Sequence, residues 1–215
     1  MRFACYYNFD YDLARTAISE KNDDPYLHLR MDGKLKRQFE HLVMFPLPGL
    51  KTKNMKHEVL YFRASRHLPG EMDAELLIKN VCYIFNHMSM TEEQCRNGVA
   101  LIVDLNQWTL KNFSPEIANK FLKAIQHQVP TKVATILIAN GPSWFPKLYR
   151  CVIKKMLASS FAKKQHFLKH PRQLQDHLMD GYEKYLPSEM SCGWQDSSEI
   201  VEDFIDQHVY EESSN

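Results

Sequence analysis

The sequence predicts an α/β fold in which a mainly parallel sheet is flanked by helices. Two uninterrupted apolar runs, VALIV (99–103) and VATILIA (133–139), have the composition of strands that are covered on both faces. Strand and helix patterns alternate along the chain from residue 58 onward. Short connections between such elements require parallel strands that are joined by right-handed crossovers.

The amino-terminal part contains one short helix candidate and a connector. Leu13, Ala17 and Ile18 recur at helical spacing between Asp10 and Glu20. From Lys34 to His57, prolines and a glycine interrupt any regular pattern. We therefore interpret this stretch as a connector to the core.

The remaining elements follow from strand propensity, capping residues and chain breakers. EVLYF (58–62) is rich in residues that favour strands, and Asp73 is an N-cap for a helix that continues to Met88. Arg96-Asn97-Gly98 breaks the chain before the VALIV strand. Ser114-Pro115-Glu116 supplies a cap, a first-turn proline and a favourable acid for the next helix. After VATILIA, the predicted elements are a helix from Trp144 to Leu157, a strand over 165–168 and a helix from Pro171 to Met179.

Length and composition describe one ordinary globular domain. The chain has 215 residues, of which 44% are hydrophobic and 25% are charged. No apolar run reaches the roughly 18 residues of a membrane span, and the first residues lack the pattern of a secretory signal. We therefore expect a cytoplasmic protein. The five cysteines have no C-x-x-C spacing, which favours inert thiols over disulfides or a zinc site.

Charge is distributed unevenly along the chain. Residues 117–175 contain many lysines and arginines but no Asp or Glu, whereas residues 194–215 form an acidic tail. The basic segment is either a solvated surface or a face for anionic lipid headgroups or nucleic acid.

Motifs for enzymatic chemistry are absent from the sequence. The glycines form neither a G-x-G-x-x-G nor a G-x-x-x-x-G-K loop, and there is no G-x-S-x-G elbow. Asp104 follows the VALIV strand, where either a catalytic or a turn-capping role is open, and the second is favoured. No histidine pair has H-E-x-x-H spacing. We therefore predict no catalytic residue, no metal and no cofactor.

The segment from Trp144 to Lys164 combines an apolar stripe with interleaved basic residues. Its apolar side chains recur at four-residue spacing, with Lys and Arg between them. One interpretation is a core-facing helix with a solvated basic back, which periodicity alone favours. The other is a movable helix whose apolar face covers a cavity while its lysines approach anionic lipid.

The order of the predicted strands and helices from Glu58 to Gly193 resembles the CRAL-TRIO lipid-binding fold. Phosphatidylinositol and phosphatidylcholine exchange proteins share this fold with tocopherol and retinaldehyde carriers. The segments that carry the resemblance are GVALIVDLN (98–106), VPTK (129–132), VATILIANGP (133–142), the WF that follows it and YLPSE (185–189). The short sequences RNG (96–98) and GPSWF (141–145) are closest to those of the lipid-binding domain of a non-receptor tyrosine phosphatase. FDYDLARTAI (9–18) is similar to the last helix of the bundle that precedes this fold.

The resemblance implies a domain organisation and a gate. Residues 1–30 are interpreted as a remnant of the helical bundle, 31–57 as the connector, 58–193 as the lipid-binding domain and 194–215 as the acidic tail. A mixed, mainly parallel sheet would form the floor of an apolar cavity, and the helix from Trp144 to Leu157, with the turn through Phe161, would be its gate. The family thus favours the second interpretation of this helix.

The resemblance also implies site residues. The family's headgroup lysine corresponds to Lys164, its glutamate to Thr131 and its arginine to Tyr7, so two of the three are replaced. The predicted ligand contacts are Trp144, Phe145, Leu148, Tyr149, Val152, Phe161 and Lys164. The predicted contacts with a headgroup or membrane are Lys154, Lys155 and Lys163.

The function implied is noncatalytic binding of a hydrophobic ligand, a phospholipid or a phosphoinositide, with exchange or sensing at a membrane. We expect a cytoplasmic protein that associates peripherally with anionic membranes and does not bind nucleic acid. The alternative is a protein-interaction or membrane-targeting module with a vestigial cavity. The acidic tail and the shortened amino-terminal bundle favour that alternative, which would make a partner protein the main ligand.

Overall fold

Five strands form one mixed sheet in the described part of the chain. The computed structural model describes residues 10, 12, 14–16, 26, 29–129, 131–190 and 192–213. The strands lie side by side in chain order, so β1 and β5 are the two edges of the sheet. They are β1 (Met44–Lys51), β2 (Glu58–Arg63), β3 (Val99–Asp104), β4 (Val133–Ala139) and β5 (Gln165–Phe167).

The pairing of the strands confirms the predicted α/β fold. β1 runs antiparallel to β2, with Met44 opposite Phe62. The other three pairs are parallel, and Glu58 lies opposite Val99 where β2 meets β3. The two apolar runs are the central strands β3 and β4, which are buried because neighbouring strands and helices cover them.

Two of the predicted helices begin after the capping residues that the sequence indicated. The Asp73 side chain accepts hydrogen bonds from the backbone N–H groups of Glu75 and Leu76, and the Ser114 side chain caps the helix that starts at Pro115. A π-helical turn, Ala124–Gln128, extends that helix. The helices are α1 (Gly33–Glu40), α2 (Ala74–His87), α3 (Glu92–Asn97), α4 (Pro115–Lys123), α5 (Phe145–Cys151), α6 (Ser159–Ala162) and α7 (Ser197–Ser213).

The region predicted as a connector, 31–57, forms regular structure instead. It contains α1 and the edge strand β1. Pro46 lies opposite Leu60, and a proline is tolerated there because an edge strand has a hydrogen-bonding neighbour on one side only. Of the helix predicted from Asp10 to Glu20, positions 12 and 14–16 are helical and Asp10 is not; the other residues lie outside the described part, as does Tyr7.

The predicted acidic tail is largely a packed helix. Ile200, Val201, Phe204 and Ile205 of α7 are buried, because they recur on one face of the helix. The ring of Phe204 lies 5.3 Å from that of Phe39 in α1. Glu199, Glu202, Asp203 and Asp206 of α7 are exposed, so the segment contributes to the core as well as to surface charge.

The helix predicted from Trp144 to Leu157 is interrupted. α5 ends at Cys151, Val152 has φ −124° and ψ −66°, and a 3-10 turn follows over Ile153–Met156. Two adjacent β-branched residues at this point disfavour a continuous helix. The helix predicted from Pro171 to Met179 is likewise a 3-10 turn, Pro171–Asp176.

Gly98 connects α3 to the central strand β3. Its φ is +74°, in the left-handed region, and a Cβ atom there would lie 2.3 Å from the carbonyl oxygen of Lys132. The next residue, Val99, donates a backbone hydrogen bond to that same oxygen. A glycine is therefore required where the chain enters the sheet.

Candidate functional site

An apolar cavity of about 150 Å³ lies between the sheet, α4 and residues 144–162, which we call the gate segment. The sheet contributes alternate residues of its central strands, because successive side chains of a strand point to opposite faces. These residues are Phe62, Leu101, Val103, Ile136 and Ile138.

Helical residues and aromatic side chains close the remaining walls of the cavity. Those of α4 and the turn after it are Ile117, Ala118, Phe121, Leu122 and Ile125, and those of the gate segment are Phe145, Tyr149, Ile153 and Phe161. Trp108 and Phe113, which follow β3, also line the cavity, and their ring centroids are 5.9 Å apart.

Three of the predicted ligand contacts line this cavity, namely Phe145, Tyr149 and Phe161. Trp144 instead stacks on Trp108, with ring centroids 5.0 Å apart. Leu148 and Val152 are half-buried and are not among the lining residues. Contact of any of these residues with a ligand stays a prediction.

Hydrogen bonds tie the gate segment to its surroundings at two points. The buried side chain of Gln126 accepts a bond from the Ala158 N–H (2.8 Å) and donates one to the Met156 carbonyl (3.4 Å). The Tyr149 hydroxyl donates to the side-chain carbonyl of Gln165 in β5. Burial raises the pKa of Tyr149, so this hydroxyl keeps its proton at neutral pH. A few polar contacts and an apolar face thus hold the gate segment against the rest of the domain.

His67 and Asn112 are polar side chains within the cavity lining that sequence reasoning missed. The Asn112 amide donates to the carbonyl oxygens of Ser65 (2.8 Å) and His67 (3.0 Å), and Nδ1 of His67 lies 3.2 Å from the Asn112 carbonyl oxygen. Burial lowers the pKa of His67, although the bond to Asn112 opposes this, so the imidazole is neutral at neutral pH. Both residues lie outside the periodic segments, where no sequence signal marks them.

A comparison with known protein families identifies the domain. The model of the CRAL/TRIO domain matches residues 44–190, which is more than half of the chain. The chain belongs to the CRAL/TRIO domain family. The resemblance inferred from the sequence is therefore confirmed, and the match includes β1, which lies inside the predicted connector.

Individual relatives of this CRAL/TRIO domain are distant. Tyrosine-protein phosphatase non-receptor type 9 of Mus musculus and of Homo sapiens are each 23% identical to it over 133 residues, covering 59% of this chain and 22% of the relative. The match thus spans about a fifth of those proteins. The crystal structure of Sfh5 matches with a TM-score of 0.64 and 12% identity, over 98% of this chain and 80% of that one. At that identity the likeness shows the fold.

Lys164 and Thr131, which the resemblance compared with headgroup residues, make hydrogen bonds within the domain. Nζ of Lys164 donates to the Val133 carbonyl oxygen (2.7 Å), and burial, followed by the charge of Lys132, lowers the pKa of Lys164. Thr131 is buried and its hydroxyl donates to the Phe85 carbonyl oxygen and lies 3.0 Å from Oγ of Ser89. Neither Lys164 nor Thr131 is among the residues that line the cavity.

The lysines predicted to contact a headgroup or a membrane face solvent. Lys154, Lys155 and Lys163 are exposed, and among the described residues no ion pair joins them to an acid. The sequence explains this, because residues 117–175 contain no Asp or Glu. The region around the gate therefore carries uncompensated positive charge.

Asp104 has the turn-capping role that the sequence favoured. Its Oδ1 accepts hydrogen bonds from the Asn106 N–H (2.9 Å) and the Asn140 amide (2.7 Å), and its Oδ2 accepts one from the Tyr61 hydroxyl (2.6 Å). Burial, and then the nearby Asp104, raises the pKa of Tyr61. Asp104 does not line the cavity.

The described residues contain neither a metal-binding cluster nor a membrane-spanning helix. Within them, no group of three or more His, Cys, Asp or Glu side chains could hold a metal ion. No helix in the same ranges combines the length and the apolar character that a membrane crossing needs.

Proposed function

We propose that this CRAL/TRIO domain binds one hydrophobic ligand beneath the gate segment, without catalysis, and exchanges or senses it at an anionic membrane surface. A phospholipid or phosphoinositide is the proposed ligand class. The observation that carries the proposal is the apolar cavity whose one wall is a short, interrupted helical segment. Membership of the family supports lipid binding or transfer in general.

The size of the cavity requires the gate to move. A cavity of about 150 Å³ accommodates a molecule the size of benzene, whereas sites for larger ligands measure roughly 300–1,000 Å³. An acyl chain would therefore need the gate segment to shift outward. Burying the chain contributes about 0.8 kcal/mol per methylene, which offsets the loss of the closing contacts.

The interrupted backbone of the gate supports such a movement. α5 and α6 are short, and the 3-10 turn between them has less favourable hydrogen-bond geometry than an α-helix. Few side-chain hydrogen bonds must break for the segment to move as a unit, because within the described residues those that join it to the rest of the domain are the bonds of Gln126 and Tyr149 given above.

Native mass spectrometry of the purified full chain tests ligand binding. We expect a retained mass of lipid size, which extraction then identifies. Ala118→Phe fills the cavity and should abolish that mass, whereas Ala74→Phe makes the same change at a half-buried helical position outside the cavity and should not. Thermal unfolding checks that both variants fold, because overpacking costs about 1–3 kcal/mol. Equal retention by both variants would contradict the proposed location.

Vesicle binding tests the membrane part of the proposal. Each lysine near an anionic surface contributes about 1 kcal/mol, so Lys154→Gln with Lys155→Gln should weaken binding to phosphatidylserine-containing vesicles by roughly thirtyfold. The matched control changes two exposed lysines of α1, Lys34 and Lys36. Added salt should weaken wild-type binding. Equal vesicle affinity of the gate variant and the α1 variant would contradict contact between the gate segment and the membrane.

A protein-interaction module with a vestigial cavity is the alternative, and the small cavity is the observation that favours it. Native mass spectrometry separates the two functions. A wild-type chain that stays bare, even after incubation with phospholipid vesicles, would support the interaction module and refute the carrier.

A further inference from the structure

We infer that Phe167, in the edge strand β5, inserts its ring into an anionic lipid bilayer and adds an apolar contact to those of the gate lysines. The inference rests on the proposed function, because it assigns a further residue to the same membrane surface. It extends that surface from the gate segment to the edge of the sheet.

The position of Phe167 in the sheet is the first observation. β5 is an edge of the described sheet, and Phe167 is 49% exposed, although phenylalanine is usually among the buried residues. Gln165 lies two residues earlier and lines the cavity, and side chains two apart on a strand point to the same face. Phe167 therefore continues the cavity side of the sheet outward to solvent.

Contacts with the gate segment hold the ring of Phe167 in place. The ring of Tyr149 meets it edge to face, with centroids 4.8 Å apart, and the ring centroid of Phe145 lies 6.3 Å away. Tyr149 and Phe145 both line the cavity. Because one side of the Phe167 ring is already packed, contact of its exposed side with a bilayer costs little additional side-chain entropy.

Exposed lysines flank Phe167 along the chain. Lys163 and Lys169 are exposed, and within the described residues no ion pair joins either of them to an acid. Residues 117–175 contain no Asp or Glu. An aromatic ring among such lysines is complementary to an anionic membrane, in which the ring reaches the acyl boundary and the ammonium groups meet lipid phosphates.

The small extent of the exposed apolar surface favours a bilayer over a protein partner. Among the described residues from 117 to 175, Phe167 is the only large apolar side chain that is exposed. A stable protein interface buries about 800 Å² on each side, around an apolar centre that is depleted of charged residues. One ring beside lysines does not supply such a centre, whereas it does match the interfacial layer of a membrane.

Binding to vesicles of phosphatidylserine and phosphatidylcholine, measured at low and at physiological salt, tests the inference. Phe167→Ala should bind roughly three- to tenfold more weakly than wild type, as burial of about half of a phenylalanine side chain implies. That factor should be the same at both salt concentrations, because salt does not screen apolar burial. The loss caused by Lys154→Gln with Lys155→Gln should instead shrink with salt.

The matched control is Trp194→Ala. Trp194 is 76% exposed, but it lies outside residues 117–175 and Asp196 follows it closely, so its variant should bind vesicles as wild type does. If thermal unfolding shows that Phe167→Ala does not fold, amide hydrogen exchange of wild type replaces it. Anionic vesicles should then slow exchange at residues 165–169 and leave residues 52–57, between β1 and β2, unchanged.

The outcomes separate this inference from the proposed function. Equal vesicle affinity of Phe167→Ala and wild type, an equal loss in Trp194→Ala, a loss that disappears in physiological salt, or unchanged exchange at residues 165–169 overturns the role of Phe167. The carrier at a membrane then stands if the lysine variant still binds vesicles more weakly and native mass spectrometry shows a lipid. Failure of wild type to bind anionic vesicles overturns the membrane part of the proposed function and this inference with it.

Discussion

Replacing Gln126 with leucine should loosen the gate segment while keeping the size of the side chain. The change removes the hydrogen bonds to the Ala158 N–H (2.8 Å) and the Met156 carbonyl (3.4 Å), which join the turn after α4 to the gate. The bond to Ala158 has ordinary geometry, whereas the bond to Met156 is long. A typical hydrogen bond contributes about 0.5–1.5 kcal/mol, so the loss of both should destabilise the closed state by about 1–2 kcal/mol. The open population should then rise roughly five- to thirtyfold.

Amide hydrogen exchange of residues 152–162 measures that population, and the release rate of a bound fluorescent phospholipid measures its consequence. Both should increase by a similar factor in Gln126→Leu. The matched control is Gln173→Leu, because Oε1 of Gln173 also accepts backbone hydrogen bonds, from Lys169 and His170, away from the gate. Exchange and release rates that are the same in the two variants would refute the idea that Gln126 holds the gate closed.

Two further predictions concern stability. Gly98→Ala should lower the free energy of unfolding in urea by about 1–3 kcal/mol, because φ is +74° and the new Cβ would meet the Lys132 carbonyl. The control is Gly70→Ala, which should change the free energy of unfolding little, because no atom lies within 4 Å of its Cβ position. Acidification below His67's ordinary pKa of 6.5 should lower the free energy of unfolding, because the unfolded chain takes up a proton that the buried ring binds only at lower pH. Urea titrations at about pH 7 and pH 5 should show a smaller loss in His67→Phe than in wild type; an equal loss would contradict this.

The sequence predicted those parts of the fold in which residue composition and burial indicate the same element. VALIV and VATILIA are central strands, and their composition reports burial on both faces. β1 was missed because Pro46 and Pro48 indicated a connector, although an edge strand tolerates proline. α7 was missed because its acidic residues masked the apolar face that packs on α1 and β1.

The candidate site was predicted only where it belongs to a periodic segment. Phe145 and Tyr149 line the cavity and lie on the segment that family resemblance singled out. His67 and Trp108 also line it, but they occur in connections, where side-chain direction depends on tertiary packing and not on a repeat. The break at Val152 shows the same limit, because an apolar stripe does not report where a helix ends.

α7 and the gate segment place acidic and basic side chains at opposite edges of the sheet. α7 packs beside β1 and exposes Glu202, Asp203 and Asp206, whereas the basic gate is tied to β5 at the far edge. Four strand spacings of about 4.8 Å separate these edges by roughly 19 Å, more than twice the Debye length of about 8 Å in physiological salt. The two charge clusters therefore do not neutralise each other. Under the proposed function, an anionic bilayer would attract the lysine-rich edge and repel the α7 edge, which favours one orientation of the domain as it approaches.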